Sequence, residues 1–260
     1  MNLSDVIGRI PYRLALAGGW IDQPFVSRLY PNPPGAMVVV GLKPQFYFME
    51  RSGLATSTRK AAVRLWNGGL PDRDPGVLVR ELYEAENRGK AEPSGSQDMA
   101  GLIYPGISRL DYDPDFEGGL FPVRVESLLD PDTAAWLEGV IHLLPVNQRP
   151  EGYSPLGVFN PETSWIQRLG GSGFLCFEAI RNRNLLALGE SLNETMRCWE
   201  FLLPRTVRHP LIEVDLLGLW ASYQARHPGA MYSGCGGGYL IVVSEESIPG
   251  SFRIKVRTPV

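Results

Sequence analysis

The 260-residue sequence contains little cysteine and no long apolar run. Its three cysteines are Cys176, Cys198 and Cys235, with no CxxC pair and an odd total, which favours a reducing compartment over a disulfide framework. The three histidines have spacings that match no usual zinc site. No apolar stretch reaches the ~18 residues needed to cross a bilayer. We therefore expect neither a membrane span nor a zinc site of this type.

Basic residues are also not in excess, because the formal net charge is −3 and the pI is near 5.7. A nucleic-acid-binding surface built on bulk basicity is therefore not expected. The first residues, MNLSD, lack a basic region followed by an apolar run, so no secretory signal is predicted. A cytoplasmic location is the resulting expectation.

Glycine and proline are abundant, with 29 and 22 residues, or about a fifth of the chain against a usual share of roughly 12%. This excess predicts many tight turns. Apolar patterns predict strands and helices that alternate without a repeated strand–helix unit, which favours an α+β fold. The predicted strands cover 13–17, 36–42, 45–50, 139–146, 239–243 and 252–256, and the main predicted helices cover 59–66, 77–88, 178–201 and 211–226.

Two small-residue loops lie where a ligand could approach the backbone. The sequence SGLATST, residues 52–58, precedes a predicted helix, whose free backbone N–H groups can bind phosphate. A capped turn is the alternative, and the loop is not a GxxxxGK[ST] phosphate loop. The sequence SGCGGG, residues 233–238, has more glycine than a turn needs, so we expect a ligand or the other loop to pack on it.

Two residues in such loops have more than one interpretation. Cys235 is interpreted as a small packing residue, because no histidine is adjacent in sequence to activate it as a nucleophile. Asp98, in PSGSQD, is either a base or an exposed turn aspartate.

Taken together, these segments resemble the GHMP kinase superfamily, named for galacto-, homoserine, mevalonate and phosphomevalonate kinases. The first family motif matches PYRLALAGGWIDQP at 11–24, whose GGWxDxP core is closest to the fucokinase and heptose kinase branch. The second matches GLATST at 53–58, and the third matches GAMYSGCGGGYL at 229–240. Between them, PSGSQD at 93–98 looks like the segment that carries the family's catalytic aspartate. All four occur in the family's order.

The resemblance implies an α+β, two-lobed fold with a ligand cleft between the lobes. Residues 1–130 would form a nucleotide-binding half similar to ribosomal protein S5 domain 2, and residues 131–260 a ferredoxin-like half. The implied function is ATP-dependent phosphorylation of a sugar, at the anomeric hydroxyl.

Two alternatives stay open. One is a non-catalytic descendant that binds a sugar or nucleotide or serves as a partner subunit. The short stretch from Gly19 to Gly53 favours it, because this stretch carries the adenine-enclosing loops in the family. The other is a kinase of a non-sugar alcohol, which the GGWxDxP match disfavours.

Residue by residue, the resemblance implies that Asp98 is the base that accepts the acceptor's proton. Arg13 would lie beside Asp98, keep it ionised and stabilise developing negative charge. Asp22, Trp20 and Gly19 would bind the sugar, although Trp20 could instead fill the core.

The nucleotide phosphates would lie against the two small-residue loops, at Gly53, Leu54, Ala55, Thr56, Ser57, Thr58, Gly236 and Gly237. A hydroxyl of Ser57 or Thr58 and the carboxylate of Glu86 would hold Mg²⁺, unless Glu86 belongs to a solvated helix face. Ala55 stands where the family has glycine. Arg59 and Lys60 follow, either as phosphate ligands or as a solvated helix turn.

Overall fold

Two four-stranded antiparallel sheets organise the chain in a computed structural model that describes residues 8–67, 69–90 and 93–259. The first sheet has the order β1-β2-β3-β4. Its strands are β1 (Tyr12–Ala15), β2 (Gly35–Leu42), β3 (Ile107–Tyr112) and β4 (Arg124–Leu128). β2 is fully buried, as its run of valine and other apolar residues predicts.

The second sheet has the order β6-β7-β5-β8 and contains only later residues. Its strands are β5 (Ile141–Asn147), β6 (Gly229–Gly234), β7 (Gly237–Val243) and β8 (Phe252–Arg253). Beyond β8, Val256 forms a bridge to Leu42 of the first sheet, so the end of the chain connects the two sheets.

Eight α-helices occur in the described ranges: α1 (Pro24–Ser27), α2 (Thr56–Leu65), α3 (Pro75–Asn87), α4 (Gln97–Ile103), α5 (Pro131–Val140), α6 (Thr163–Arg181), α7 (Leu185–Leu202) and α8 (Leu216–Gln224). Four of them have an N-cap residue whose side chain accepts a hydrogen bond from a backbone N–H of the first turn. These caps are Asp74, Asp130, Asn184 and Asp215.

The prediction of a strand at 45–50 is wrong, because this segment pairs with no strand. Two of its aromatic residues, Phe46 and Phe48, belong to a side-chain cluster instead. The ring of Phe48 lies 4.7 Å from that of Tyr12 in the first sheet, and Phe46 lies 5.1 Å from Phe252 in the second. The segment therefore joins the two sheets through aromatic contacts, which give the same sequence pattern as a strand.

The single helix predicted at 178–201 is also wrong, because two helices, α6 and α7, meet there. Arg183 has a left-handed φ of 52°, and Asn184 then caps α7 by accepting the N–H of Ala187 at 3.1 Å. The helix α4 and the strand β6 had no sequence prediction, because both are short and contain glycine.

Glycines allow α6 and α7 to approach the sheets closely. A Cβ atom on Gly173 of α6 would collide with the backbone of Ala36 in β2, and one on Gly189 of α7 would collide with Pro228 and Gly229 at the start of β6. The core therefore continues from the first sheet through these two helices to the second sheet.

The two small-residue loops lie side by side, as the sequence predicts. A Cβ atom on Gly53 would lie 2.5 Å from the carbonyl oxygen of Ser233 and 2.6 Å from the nitrogen of Gly234. The hydroxyl of Ser233 donates to the carbonyl of Ser52 at 2.6 Å and accepts the N–H of Tyr239 at 3.0 Å. The loop before α2 is thus fixed to the hairpin formed by β6 and β7.

Two glycines of α6 provide a matched test of this packing. Gly173→Ala should lower the free energy of unfolding by roughly 1–3 kcal/mol, since the added methyl group has no space against β2. Gly171→Ala has nothing within 4 Å of the new Cβ and should raise it by roughly 0.5–1 kcal/mol. Urea unfolding of both variants measures the difference, and equal effects of the two substitutions would contradict the proposed packing.

Candidate active site

A cleft of about 510 Å³ opens where the two small-residue loops meet the end of β1. Residues from β1, the turn after it, the start of α2, the start of α4 and the end of β6 line it. Its polar and charged lining residues include Arg13, Asp22, Arg51, Thr56, Ser57, Lys60, Gln97, Asp98, Arg149 and Ser233. The cleft therefore collects residues from all four motif segments.

Arg13 is the central charged group of the cleft. Its side chain is 5% exposed, and its guanidinium forms an ion pair with Asp98 and donates to the carbonyl of Gly53 at 3.1 Å. The side chain crosses α4 at Gly101, where any Cβ would collide with Arg13. Burial lowers the pKa of Arg13 to about 10, so it stays positively charged at neutral pH.

Asp22 is a buried carboxyl group, and its charge interacts with that of Arg13. Burial raises the pKa of Asp22 to about 6, although the charge of Arg13 acts in the opposite direction. Gly95 passes directly over its carboxylate, because a Cβ at this position would overlap the Asp22 oxygen. Near neutral pH, this carboxyl group can therefore accept hydrogen bonds from hydroxyls in the cleft.

The N-terminus of α2 faces the cleft without a side-chain cap. Ala55, at the N-cap position, has a left-handed φ of 54°, and the first turn has no acidic residue. The hydroxyl of Thr56 accepts the N–H of Arg51 at 3.2 Å, so it does not cap the helix. Ala55, Thr56 and Ser57 line the cleft. The backbone N–H groups at this helix N-terminus and the helix dipole favour binding of an anion there.

Four predicted phosphate-site residues, Leu54, Thr58, Gly236 and Gly237, do not line the cleft. Leu54 is fully buried in the core. Gly236 and Gly237 lie beneath the ring of Tyr153 and the side chain of Asn147. Their neighbours Ser233 and Gly234 line the cleft instead.

The predicted sugar-binding residues Gly19 and Trp20 line the cleft together with Trp199 of α7. The Trp199 indole donates to the carbonyl of Gly19 at 3.0 Å, and the Trp20 indole lies 3.2 Å from the Cys235 sulfur. Trp20 also packs edge-on against Phe25, so its ring contacts both the cleft and the core. Burial raises the pKa of the Cys235 thiol to about 11, which opposes a nucleophilic role.

Glu86 is not on a solvated face, because its side chain is only 4% exposed. One carboxylate oxygen lies 3.3 Å from the Ser57 hydroxyl and 3.2 Å from Lys90, while the other has no hydrogen-bond partner. Thr58 is buried, and its hydroxyl lies 3.5 Å from Asp98. An orphaned buried carboxylate oxygen near a hydroxyl fits Mg²⁺, which takes few protein oxygens and completes its shell with phosphate and water. The described residues contain no cluster of three His, Cys, Asp or Glu side chains suited to a metal ion held by the protein alone.

Further cations lie at the edge of the cleft. Lys60 lines it and forms a 2.8 Å ion pair with Glu50, whereas Arg59 is buried, with its guanidinium 4.3 Å from the centre of the Tyr12 ring. Arg149 lines the cleft and donates to the carbonyl of Arg51 at 2.9 Å. No motif in the sequence includes Arg51 or Trp199, so neither is predicted as a site residue.

Comparison with solved structures identifies the fold. Mevalonate kinase from Methanococcus jannaschii superposes with a TM-score of 0.60 at 11% identity, covering 96% of this chain and 97% of that one. Galactokinase from Lactococcus lactis, complexed with galactose, superposes with a TM-score of 0.61 at 12% identity, covering 96% of this chain and 92% of that one. A D-glycero-D-manno-heptose 1-phosphate kinase from Bacteroides thetaiotaomicron superposes with a TM-score of 0.54 at 11% identity, covering 95% of this chain and 96% of that one.

This chain therefore has the GHMP kinase fold, and the resemblance indicated by the four motifs is confirmed at the level of the fold. No protein-family model matches the sequence, and the search of curated proteins gives no match either. Within the described ranges, no helix has the length and apolar character needed to cross a membrane.

The raised pKa of Asp22 predicts a pH-dependent stability. The folded protein binds the Asp22 proton more tightly than the unfolded chain does. The stabilisation that this proton gives to the folded state is therefore complete below about pH 4 and is lost as the pH rises through about 6. Between pH 5 and 7.5, the free energy of unfolding of wild type should fall by roughly 1–1.5 kcal/mol more than that of Asp22→Asn.

Urea unfolding at both pH values measures this difference, with the exposed Asp72→Asn as the control. Parallel pH dependence of wild type and Asp22→Asn would show that Asp22 is not a buried acid with a raised pKa.

Proposed function

We propose that this protein is an ATP-dependent kinase of a small hydroxylated molecule, with a sugar as acceptor and its anomeric hydroxyl as the phosphorylated group. The observation that carries the proposal is the Arg13–Asp98 pair beside the uncapped N-terminus of α2. A carboxylate and an anion-binding helix end in one cleft are what phosphoryl transfer to an alcohol needs.

In the proposed reaction, Asp98 accepts the proton of the acceptor hydroxyl. That oxygen forms a bond to the γ-phosphorus of ATP, and the bond from the γ-phosphorus to the ADP oxygen breaks. Arg13 stays charged, holds Asp98 in place and stabilises negative charge on the transferred group.

The triphosphate would lie along the backbone N–H groups of Ala55, Thr56 and Ser57. Lys60 and Arg149 supply positive charge at the edge of this site. Ser57 and Glu86 would hold Mg²⁺, which neutralises phosphate charge when bound. Gly53 lets the loop reach the second sheet, so the phosphate site has a fixed position.

A sugar acceptor is supported by two features of the turn after β1. Asp22 offers a buried carboxyl group for hydroxyls, and Trp20 offers an aromatic face, both in the cleft that contains Asp98. Structural neighbours include a galactokinase and a heptose 1-phosphate kinase, which favour a sugar as the acceptor. They also include mevalonate kinases, which are named for a non-sugar alcohol.

We also propose that residues 1–130 and 131–260 form S5 domain 2-like and ferredoxin-like halves. The position of the two sheets before and after residue 130 supports this division.

Catalysis should depend most strongly on Asp98. Asp98→Asn should reduce kcat by ~10²–10⁴, the usual effect of losing a general base, while ATP and acceptor binding change little. Thermal shift with ATP–Mg²⁺ and a panel of hexoses and heptoses identifies the acceptor, since saturation at 100 times Kd stabilises by ~2.7 kcal/mol.

Coupled ADP release then gives kcat for both proteins, with the exposed Asp132→Asn as the matched control. Full activity of Asp98→Asn would disprove the base assignment. Binding without turnover of any acceptor by wild type would instead favour a non-catalytic binding protein.

Removing the Glu86 charge should weaken metal-dependent nucleotide binding. Glu86→Gln keeps the shape of the side chain but loses the carboxylate, so the Mg²⁺ concentration for half-maximal ATP binding should rise about tenfold or more. Glu84→Gln, exposed on the same helix, is the control and should behave as wild type.

Calorimetric titration of ATP at several Mg²⁺ concentrations provides the measurement. An unchanged Mg²⁺ requirement in Glu86→Gln would remove Glu86 from the proposed metal site.

A further inference from the structure

A second cavity, of about 370 Å³, lies directly behind Asp22. Asp22 and Gln23 line both this cavity and the cleft with Asp98, so the two spaces share one wall. Gly95 completes that wall, because its backbone passes across the Asp22 carboxylate and the Gln23 amide. The cavity therefore adjoins the proposed acceptor site, with Asp22 and Gln23 on the boundary between the two spaces.

The lining changes in character away from this shared wall. Beyond Asp22 and Gln23, most lining residues are aromatic or aliphatic, with Phe25, Tyr83, Leu120 and Leu156 around the space. Arg28 and Ser94 are the other polar residues of the lining. The two aromatic and two leucine side chains are only partly buried, so apolar surface faces the opening. Covering such surface with a ligand is favourable, because it removes apolar area from water.

The walls come from segments that are held in place. The ring of Phe25 packs edge-on against Phe159 at 5.2 Å, and that of Tyr83 packs against Phe121 at 5.0 Å. The Ser94 N–H, next to Gly95, donates to the side chain of Asn87 at 2.8 Å. A cavity with fixed walls does not need to rearrange when it binds a ligand.

We propose that this cavity binds an apolar or aromatic substituent of the acceptor, so that the substrate is a polyhydroxylated compound with an apolar group rather than a plain sugar. The proposal rests on the proposed function, since it takes Asp22 as the residue that binds the hydroxylated part. The hydroxyls would occupy the cleft on one side of Asp22, and the substituent would lie against Phe25 and Leu156 on the other.

The cavity is tested first without any assumption about the sugar. Benzamide serves as the probe, followed by ligand-observed saturation-transfer NMR. Wild type should give a signal that Leu156→Trp, which fills the cavity, reduces several-fold. Val158→Trp is the matched control, because it adds the same ring to an exposed position of the same loop. Absence of the signal, or equal signals in all three proteins, would overturn the proposal.

The link to the acceptor is tested with pairs of amino sugars that keep the anomeric hydroxyl free, glucosamine and mannosamine and their N-benzoyl derivatives. The benzoyl group should improve affinity ~10-fold or more in wild type and in Val158→Trp, but not in Leu156→Trp. No gain in wild type would overturn the proposal even if a plain sugar is phosphorylated, which would leave the kinase function intact. A gain that Leu156→Trp abolishes, without any ADP release, would support the cavity and reject the kinase.

Discussion

A buried positive charge, that of Arg13, determines the arrangement of the cleft. A cation removed from water must be paired, and Arg13 obtains Asp98, the nearby Asp22 and the carbonyl of Gly53. Glycine at 101 leaves room for its side chain on α4. The same contacts bring the carboxylate of Asp98, the carboxyl group of Asp22 and the loop before α2 into one space.

The second constraint is the backbone contact between Gly53 and Gly234. No side chain fits between these loops, so the start of α2 has a fixed distance from the β6–β7 hairpin. Ser233 strengthens the contact by bonding to both Ser52 and Tyr239. Since α6 packs on β2 and α7 on β6, the two sheets share one continuous core. A site formed between two sheets gains its rigidity from these contacts.

Local sequence was informative where a motif has a local physical cause. Apolar runs predicted β2, and small residues before α2 predicted an open helix end next to the second glycine-rich loop. The failures have tertiary causes. Residues 45–50 look like a strand but supply rings to an aromatic cluster, and Arg183 breaks a pattern that reads as one helix. Trp199 reaches the cleft from a helix some 180 residues beyond Gly19, a contact that no local pattern encodes.

A crystal structure with Mg²⁺ and a non-hydrolysable ATP analogue tests the central claim most directly. We expect the phosphates on the backbone N–H groups of Ala55, Thr56 and Ser57. The terminal phosphate should point toward Asp98, and the metal should lie near Ser57 and Glu86. A nucleotide bound at another surface, or with its terminal phosphate directed away from the Arg13–Asp98 pair, would contradict phosphoryl transfer in this cleft.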